Sequence, residues 1–448
     1  MPRWSGIFKA YDIRGVVPDE LDDVAARAIG AAFVRVTAAR TVITAHDMRE
    51  SSPPLAAAFE EGVLGQGADV VAAGLASTDV LYFGSGFLDV PGAMFTASHN
   101  PARYNGIKLC RAGAAPVGED SGLREIRALA EAGVPAATGG PGQRRQQDLL
   151  PDYAAHLHSL VDLSGIRPLT VVVDAGNGMA GHTVPHVLSG LPLRIDPLYF
   201  TLDGTFPNHE ANPLDPKNLV DLQERVRATG ADIGLAFDGD ADRCFVVDEW
   251  GEPVPPSAVT ALVAVRELAR VPGATVIYNL ITSKAVPEII REHGGIPVRT
   301  RVGHSFIKQE MARTGAVFGG EHSAHYYFRD FWRADTGMLA ALHVLAALGG
   351  QDGPLSELVR RFTRYQASGE INSEVGDQQA ATRLVEAAYA DRDDVTIDHL
   401  DGLTVDGGTW WFNLRASNTE PLLRLNVEAA DAAAMATIRD DVLALVRC

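Results

Sequence analysis

Cysteine is scarce in this chain. The only cysteines among the 448 residues are Cys110, Cys244 and Cys448, which stand far apart and without any paired spacing. Disulfide frameworks and zinc sites need cysteines in closely spaced or paired patterns. The sequence therefore indicates neither a disulfide-bonded scaffold nor a cysteine metal site.

Long apolar runs are also missing. The most apolar helical segment, residues 338–348, contains His343, and it is too short to cross about 30 Å of hydrocarbon. The first residues, MPRW, do not begin the apolar stretch that is typical of a secretory signal. We therefore expect no membrane span and a cytoplasmic protein.

Positive charge is in short supply as well. The chain has 39 lysines and arginines against 57 acidic residues, a formal net charge of −18. Because nucleic-acid affinity depends largely on lysine and arginine neutralising phosphates, this balance argues against a nucleic-acid partner. An anionic substrate has to be captured locally, by a few basic residues within one cleft.

Apolar strand-like runs alternate with amphipathic helix-like runs through most of the chain, which is typical of α/β domains with parallel or mixed sheets. The length predicts several domains, and proline and glycine near residues 139–142 and 253–256 indicate boundaries. After about residue 362 the pattern changes to that of an α+β domain. We expect three related α/β domains at residues 1–142, 143–252 and 253–362, and a C-terminal α+β domain at 363–448. The expected strands of the first three domains are residues 41–45, 69–73, 93–96, 169–174, 232–238, 274–280, 298–302 and 316–319.

The first polar motif, TASHNP at residues 96–101, stands where an expected strand ends. Ligands bind at the carboxyl ends of strands in α/β sheets, so this position exposes Ser98 for chemistry. A turn whose side chains bond their own backbone is an equal alternative. A serine hydrolase is disfavoured because the segment lacks the Gly-x-Ser-x-Gly elbow.

The second motif, DGDADR at residues 238–243, also follows a strand and carries carboxylates at alternate positions. Clustered carboxylates call for a cation, and oxygen ligands suit magnesium or calcium. A calcium hand also matches, with Glu249 at its twelfth position, but Arg243 stands where that loop needs glycine. A solvated acidic turn is the other alternative.

The third motif, GEHSAH at residues 320–325, places Glu321 and Ser323 two residues apart, which suits neighbouring hydroxyls of a sugar. His325 can exchange protons near neutral pH. In isolation, all three residues could equally be structural.

The fourth motif, RASNTEP at residues 415–421, is expected in a turn between two strands. Its arginine and small polar residues would form a phosphate cradle, since a guanidinium group binds phosphate through two parallel hydrogen bonds. A polar hairpin turn is the alternative.

A glycine motif at residues 176–181, GNGMAG, follows an expected strand and opens a helix, with Asp196 further along. This pattern is typical of dinucleotide-binding folds. The block is short for two mononucleotide halves and contains the aspartate motif instead, so we disfavour a nicotinamide enzyme.

In this order, the four polar motifs and residues 9–15 (KAYDIRG) resemble the α-D-phosphohexomutase superfamily, in its bacterial phosphomannomutase/phosphoglucomutase type. The resemblance runs from these residues into the final domain. It implies four domains around a central cleft and a mutase that acts on a small phosphosugar, with Mg²⁺ as cofactor and a hexose 1,6-bisphosphate as activator. It also implies a hinge for the last domain near residues 362–368, in a protein that is a monomer or a dimer.

The resemblance assigns a role to each matching residue. The group that transfers the phosphoryl moiety would be Ser98, assisted by His99, Lys108, Arg14, Arg243 and His325. The magnesium ligands would be phosphorylated Ser98, Asp238, Asp240 and Asp242. The residues that bind the sugar phosphate would be Tyr11, His304, Glu321, Ser323, Arg415, Ser417, Asn418 and Thr419.

The third and fourth motifs resemble those of phosphomannomutase/phosphoglucomutase enzymes. They favour a phosphomannomutase that interconverts mannose 6-phosphate and mannose 1-phosphate, with glucose phosphates as further candidate substrates. Phosphoglucosamine mutases more typically carry glycine where Asn418 stands. Phosphoglucosamine mutase, a strict phosphoglucomutase and a non-catalytic sugar-phosphate sensor are the alternatives. One departure is that residues 280–283, LITS, stand where some relatives have a sugar-contacting lysine, a role for which Lys284 or Arg301 could substitute.

Overall fold

Four β-sheets follow one another along the chain in the computed structural model, which describes residues 4–135, 137–416 and 422–447. The first three sheets combine parallel and antiparallel strands and carry helices, and the fourth is antiparallel throughout. The expected α/β class with a different C-terminal domain is therefore confirmed.

The first sheet has seven strands in the order β1-β5-β4-β2-β3-β7, with β6 paired to β5. The central pairs β2–β3 and β2–β4 are parallel, whereas β5 runs antiparallel to both of its neighbours β1 and β4. The strands are β1 Ile13–Val16, β2 Thr41–His46, β3 Asp69–Leu75, β4 Gly92–Phe95, β5 Tyr104–Arg111, β6 Ala115–Pro116 and β7 Arg144–Gln146. The helices are α1 Trp4–Ile7, α2 Asp23–Thr37, α3 Ser52–Gly65, α4 Thr78–Leu88 and α5 Leu123–Ala132.

The second sheet has the order β12-β11-β10-β8-β9, with β8 parallel to β9 and β10 and with β11 antiparallel to β10. Its strands are β8 Leu169–Asp174, β9 Leu193–Leu198, β10 Ile233–Phe237, β11 Cys244–Val247 and β12 Pro253–Val254. Its helices are α6 Leu150–Leu160, α7 Ala180–Val187 and α8 Val220–Thr229.

The third sheet has the order β14-β13-β15-β16-β17. Its strands are β13 Thr275–Asn279, β14 Ile296–Thr300, β15 Phe318–Gly320, β16 Tyr326–Phe328 and β17 Ala334–Asp335. Its helices are α9 Pro256–Arg270, α10 Ala285–Glu292, α11 His304–Thr314, α12 Gly337–Gly349 and α13 Leu355–Arg360.

The fourth sheet has the order β18-β22-β21-β20-β19. Its strands are β18 Gln366–Glu374, β19 Thr396–Asp398, β20 Leu403–Asp406, β21 Trp410–Ala416 and β22 Leu422–Ala429, and its helices are α14 Gln378–Tyr389 and α15 Ala432–Val446. Arg415 lies on β21 itself, so the expectation that it stands in the turn after this strand is wrong.

The apolar cores divide the molecule into two bodies. One continuous buried cluster includes side chains from the first three sheets and from α12, whereas the fourth sheet has a core of its own. A small apolar contact, formed by Leu280, Ile281 and Trp411, joins the third and fourth sheets. The first three domains therefore pack as one unit, and the fourth is attached to it.

The expected strands of the first three sheets all occur, whereas β1, β6, β7, β9, β12, β16 and β17 were not predicted, and neither was β5. Its sequence, YNGIKLCR, interrupts the apolar pattern with Asn105 and Lys108. The strand nevertheless lies between β1 and β4, and the polar residues are held by specific partners. The domain boundaries near residues 142, 252 and 362 stay predictions, although β7 pairs with the first sheet from beyond residue 142.

No helix within the described ranges combines the length and the apolar character that a membrane crossing requires. Cys110 and Cys244 are buried free thiols, and Cys448 lies outside the described residues.

The closest helix pair of the first domain gives a test of the packing. A Cβ atom on Gly62 of α3 would lie 2.1 Å from the carbonyl oxygen of Arg27 on α2, whereas one on Gly65 would meet nothing within 4 Å. We expect Gly62→Ala to destabilise the first domain by about 1–3 kcal/mol, because backbone atoms cannot move aside as a side chain can. Gly65→Ala is the matched control, and thermal melting of both variants checks the prediction. Equal melting temperatures would contradict it.

Candidate active site

Polar loops from three sheets meet at one cleft. Ser98 follows β4, residues 238–243 join β10 to β11, and His325 directly precedes β16. One cavity is lined by Tyr11, Asp12, Arg14, Tyr82, Ser98, His99, Lys108, Leu109, Pro116, Val117, Asp242, Arg243, His325 and Asp335. The structure thus brings together most of the residues that were predicted for phosphoryl transfer.

Ser98 is buried and points at the aspartate loop. Its Oγ donates a hydrogen bond of 2.7 Å to Oδ2 of Asp238, and Nδ1 of His99 lies 3.3 Å from the same Oγ. The backbone of Ser98 is left-handed, with φ of 50°, a conformation that is unfavourable for a residue other than glycine. The alternative, a turn whose side chains bond their own backbone, does form here, since Oγ1 of Thr96 accepts from the N–H of Ser98, but the hydroxyl of Ser98 itself is directed at Asp238.

Arg49 holds the Ser98 loop, and the sequence analysis did not identify it. This fully buried guanidinium group donates to the backbone carbonyls of Ser98, Asn100, Pro101 and Tyr104, at 2.7–3.1 Å. Its charge is balanced by Asp47, 3.2 Å away. The sequence did contain a signal, because the charged pair Asp47 and Arg49 comes just after β2, as Ser98 comes just after β4.

The three aspartates of the second motif form a compact, buried cluster. One carboxylate oxygen from each of Asp238, Asp240 and Asp242 lies within 4.8 Å of the others. Oδ1 of Asp240 and Oδ1 of Asp242 are buried and accept no hydrogen bond from any described residue. Buried carboxylate oxygens without donors are costly unless a cation binds them. The cluster therefore fits a hard divalent cation, which takes oxygen ligands.

Two basic side chains compensate this charge. Nζ of Lys108 lies 2.6 Å from both Asp240 and Asp242, and Arg243 donates to Oδ2 of Asp238 through Nε and Nη2 at 2.9 and 2.8 Å. Lys108 is on β5 of the first sheet, so this ion pair crosses between two domains.

Burial and the nearest opposite charges act against each other on the pKa values of Asp238 and Lys108. Burial raises the pKa of Asp238 to about 7, against the charge of Arg243. Burial also disfavours charge on Lys108, but Asp240 and Asp242 outweigh it and raise the pKa of Lys108 well above its usual value. Lys108 therefore keeps its proton in this arrangement.

His99 is the neutral member of the cluster. Burial lowers its pKa well below the usual value, and the charges of Arg243 and Arg14 add to this effect. Arg14 itself is held by Asn100 at 2.6 Å and by Asp12 at 2.5 Å.

The third motif forms a short relay beside the aspartates. Oγ of Ser323 donates to Glu321 at 2.8 Å, and Nδ1 of His325 lies 3.0 Å from that Oγ. Nε2 of His325 lies 3.6 Å from Asp242 and 4.0 Å from Asp335. Asp335, which sequence reasoning missed, forms a buried ion pair of 2.7 Å with Lys308. His304 begins α11, but its side chain lies outside what the structure describes.

The fourth motif is only partly described. Arg415 is 9% exposed and stands directly opposite Arg424 of β22, and both guanidinium groups approach Glu370, at 3.6 and 3.5 Å. Ser417, Asn418 and Thr419 lie outside the described residues. Sequence reasoning missed Arg424, although an arginine between two leucines at the start of β22 was a signal.

The alternative readings of two motifs are wrong. In the glycine motif, Gly178 packs against the backbone of Gly239, where a Cβ would lie 2.7 Å from its carbonyl oxygen. That loop therefore supports the aspartate loop, and Asp196 is paired with Arg225. Glu249, the twelfth residue of the calcium-hand match, accepts hydrogen bonds from Ser356 instead of facing the loop.

Two residues that could substitute for the missing lysine are engaged elsewhere. Nζ of Lys284 donates to Asp406 and to the carbonyl oxygen of Gly408 in the fourth domain, at 2.7 and 2.6 Å. The guanidinium group of Arg301 lies over the ring of Phe306. Neither lines the cavity around Ser98.

Family comparisons agree with this geometry. Four profiles of phosphoglucomutase/phosphomannomutase match in order: α/β/α domain I at residues 5–135, domain II at 151–251, domain III at 255–365 and the C-terminal domain at 370–445. The chain belongs to the phosphoglucomutase/phosphomannomutase family. It is accordingly a phosphohexomutase, an intramolecular phosphotransferase of carbohydrate metabolism.

Individual relatives cover nearly the whole chain. A relative from Xanthomonas campestris pv. campestris that carries the name "Phosphohexose mutases" is 43% identical over 444 residues, which are 98% of this chain and 99% of the relative. A phosphomannomutase from Salmonella montevideo is 41% identical over 94% of each chain. A solved structure of a phosphoglucomutase/phosphomannomutase family protein from Burkholderia thailandensis is 34% identical, with a TM-score of 0.90 over 100% of this chain and 98% of that one.

The ion pairs of Lys108 give a prediction on stability. Removing the ammonium group in Lys108→Met leaves two buried carboxylates without their shared cation, which is expected to destabilise the metal-free protein by about 3 kcal/mol. Because a bound divalent cation would restore the balance, Mg²⁺ should raise the melting temperature of the variant more than that of the wild type. Scanning fluorimetry in EDTA and in Mg²⁺ measures both effects.

Lys217→Met is the matched control, since Lys217 forms ion pairs with Glu210 and Asp215 at an exposed site. Exposed pairs contribute about 0–1 kcal/mol. If Lys108→Met melts in EDTA at the wild-type temperature, the ion pairs of Lys108 do not stabilise the buried aspartates.

Proposed function

We propose that this phosphohexomutase is a phosphomannomutase that works through phosphorylated Ser98 and a hexose 1,6-bisphosphate intermediate. The observation that carries the proposal is the position of Ser98, whose Oγ contacts Asp238 in a cluster of carboxylates suited to a cation. Phosphomannomutases at about 40% identity support mannose phosphates as substrates. Glucose phosphates are the second substrates to test.

The reaction needs one end of the cleft that transfers phosphate and another that holds it. In the forward step the free hydroxyl of the sugar phosphate attacks the phosphorus on Ser98, so a bond to the sugar oxygen forms while the bond to Oγ breaks. The resulting bisphosphate turns end for end and returns its other phosphoryl group to Ser98. Atoms balance, because Ser98 ends phosphorylated as it began, with the group that came from the substrate, while the group it donated stays on the sugar.

The proton of the attacking hydroxyl needs an acceptor near Ser98. Lys108 is less suited to accept it, because Asp240 and Asp242 keep its ammonium group charged. His325 lies in the same cavity and has Ser323 on its Nδ1. We assign this proton transfer to His325, which would take the proton from the sugar hydroxyl and pass it to the released Oγ of Ser98. In the return step His325 would pass the proton back to the sugar.

Asp238, Asp240 and Asp242 would hold Mg²⁺ together with the phosphate on Ser98, and the bound ion would stabilise negative charge on the phosphoryl group. Arg243 and Arg14 line the same cavity and would bind the oxygens of that group. Glu321 and Ser323, already joined by a hydrogen bond, would bind neighbouring hydroxyls of the sugar.

The other end of the substrate would bind in the fourth domain. Arg415 and Arg424 stand directly opposite each other, and both guanidinium groups approach Glu370. Arg415 would bind the phosphate, since a guanidinium group binds phosphate through two parallel hydrogen bonds, and Ser417, Asn418 and Thr419 would complete the site. Rotation of the fourth domain near residues 362–368 would close the cleft and open it for the turn of the intermediate.

A coupled mutase assay tests the function. We expect turnover of mannose 1-phosphate, with Mg²⁺ and a catalytic amount of hexose 1,6-bisphosphate, and its loss in Ser98→Ala because no phosphate acceptor is left. Glucose 1-phosphate and glucosamine 1-phosphate in the same assay rank the sugars. Faster turnover of glucosamine 1-phosphate would identify the protein as a phosphoglucosamine mutase. Turnover of glucose 1-phosphate alone would identify it as a strict phosphoglucomutase.

Mass spectrometry of the intact protein provides the control on mechanism. The wild type treated with bisphosphate should gain one phosphate at Ser98, and Ser159→Ala, at an exposed helix position, should behave as the wild type. Turnover in Ser98→Ala would reject the phosphoserine step. Tight binding of sugar phosphate by phosphorylated wild type without any turnover would indicate a sensor.

Arg415→Ala tests the holding end. Loss of a charged hydrogen-bonding group costs about 2 kcal/mol, so we expect KM for mannose 1-phosphate to rise about 30-fold. Arg439→Ala on α15 of the same domain is the control, since Arg439 pairs with its neighbour Asp440. A KM within twofold of the wild type would remove Arg415 from the phosphate site.

A further inference from the structure

Thr78 of the first domain contacts the aspartate loop of the second domain through two hydrogen bonds. Its Oγ1 donates to Oδ2 of Asp240 at 2.5 Å, and its backbone N–H donates to the backbone carbonyl oxygen of Asp240 at 3.0 Å. Both residues are completely buried. Asp240 is therefore held at its side chain and its main chain by one residue.

This contact determines which carboxylate oxygen of Asp240 is left to bind a cation. Oδ2 accepts from Thr78 and from Lys108, whereas Oδ1 accepts no hydrogen bond from any residue within the described ranges. A hydroxyl group in this position orients a carboxylate and leaves the second oxygen for a cation. Partners of this kind, behind a metal ligand, commonly change metal affinity by about 10–100-fold.

Thr78 is in turn fixed by the next residue. The buried carboxylate of Asp79 accepts three hydroxyl hydrogen bonds, from Ser77 at 2.5 Å, from Tyr153 at 2.5 Å and from Thr336 at 2.7 Å. Tyr153 belongs to α6 and Thr336 is the N-cap of α12, so the donors come from three separate parts of the chain.

Close packing immobilises the helix that begins at Thr78. A Cβ on Gly86 of α4 would lie 2.1 Å from the ring of Trp332 in the third domain, so the helix backbone is in direct contact with that ring. Gly84, one half-turn earlier, would likewise meet Ile43 and Leu149 at 2.4 and 2.6 Å. The C-terminal half of α4 is therefore in direct contact with Ile43, Leu149 and Trp332, while its first turn contacts Asp240.

From these contacts we infer that Thr78 is a positioning residue for the metal ligand Asp240, and that Asp79 fixes Thr78 by joining α4 to α6 and α12. The inference rests on the proposed function, in which Asp240 binds a divalent cation. In the proposed function, Thr78 touches neither the substrate nor the cation. It acts through the orientation of the Asp240 carboxylate.

Direct binding of Mg²⁺ tests the inference without any turnover. Isothermal titration of purified, unphosphorylated protein should show that Thr78→Val, which keeps the shape but removes the hydroxyl, weakens Mg²⁺ binding about tenfold or more. Thr78→Ser, which retains the hydroxyl, should stay within about threefold of the wild type. Asp79→Asn should also weaken binding, because it removes an acceptor that fixes the helix start.

Thr183→Val is the matched control, since Thr183 is a buried threonine whose hydroxyl donates to the carbonyl oxygen of Met179 within its own helix. Its Mg²⁺ affinity should equal that of the wild type. Melting temperatures in EDTA separate metal affinity from general stability. If Thr78→Val does not fold, Thr78→Ala against Thr78→Ser makes the same comparison.

Two outcomes would overturn the inference and can be told apart. Wild-type affinity in Thr78→Val, with Mg²⁺ binding intact, would refute the role of Thr78 alone. Absence of Mg²⁺ binding in the wild type would refute the metal site of the proposed function, and the inference with it.

Discussion

Buried negative charge is the constraint on which the rest of the structure depends. Asp238, Asp240 and Asp242 are almost inaccessible to water, and isolated carboxylates in such a place would be strongly destabilising. The first domain supplies Lys108 and the second supplies Arg243, so the charge is balanced only when the two domains are packed together. The aspartate cluster thus links domain packing to the chemistry of the site.

The same constraint explains the geometry of the Ser98 loop. The serine has to leave β4 in a left-handed conformation to place its Oγ against Asp238. Such a backbone is unfavourable by about 1–3 kcal/mol and persists where surrounding contacts over-determine it. The buried guanidinium group of Arg49 provides these contacts through the loop carbonyls. A rigid loop then presents the serine to the cluster.

The two bodies of the molecule suit two different tasks. The first three domains contribute to one large apolar cluster and carry Ser98 and the aspartates, whereas the fourth has a core of its own and meets the third through a small apolar cluster and several polar contacts. These include Lys284 with Asp406 and Arg364 with Glu292, which are partly exposed. Because exposed ion pairs contribute little, this interface can rearrange at a small cost in free energy, as closing and opening of the cleft would require.

Sequence alone predicted the main apolar strands and most of the residues that meet at the cleft. Apolar periodicity predicts the strands because buried strands need continuous apolar residues, and polar motifs at their ends predict Ser98, the aspartates and His325 because ligands bind there. Where a functional residue interrupts the apolar pattern, as Lys108 does in β5, the same signal fails. Only the tertiary structure placed Thr78, Asp79, Arg49 and Arg424 beside the proposed site residues, because their partners lie far away in sequence or across a strand pair and follow from packing.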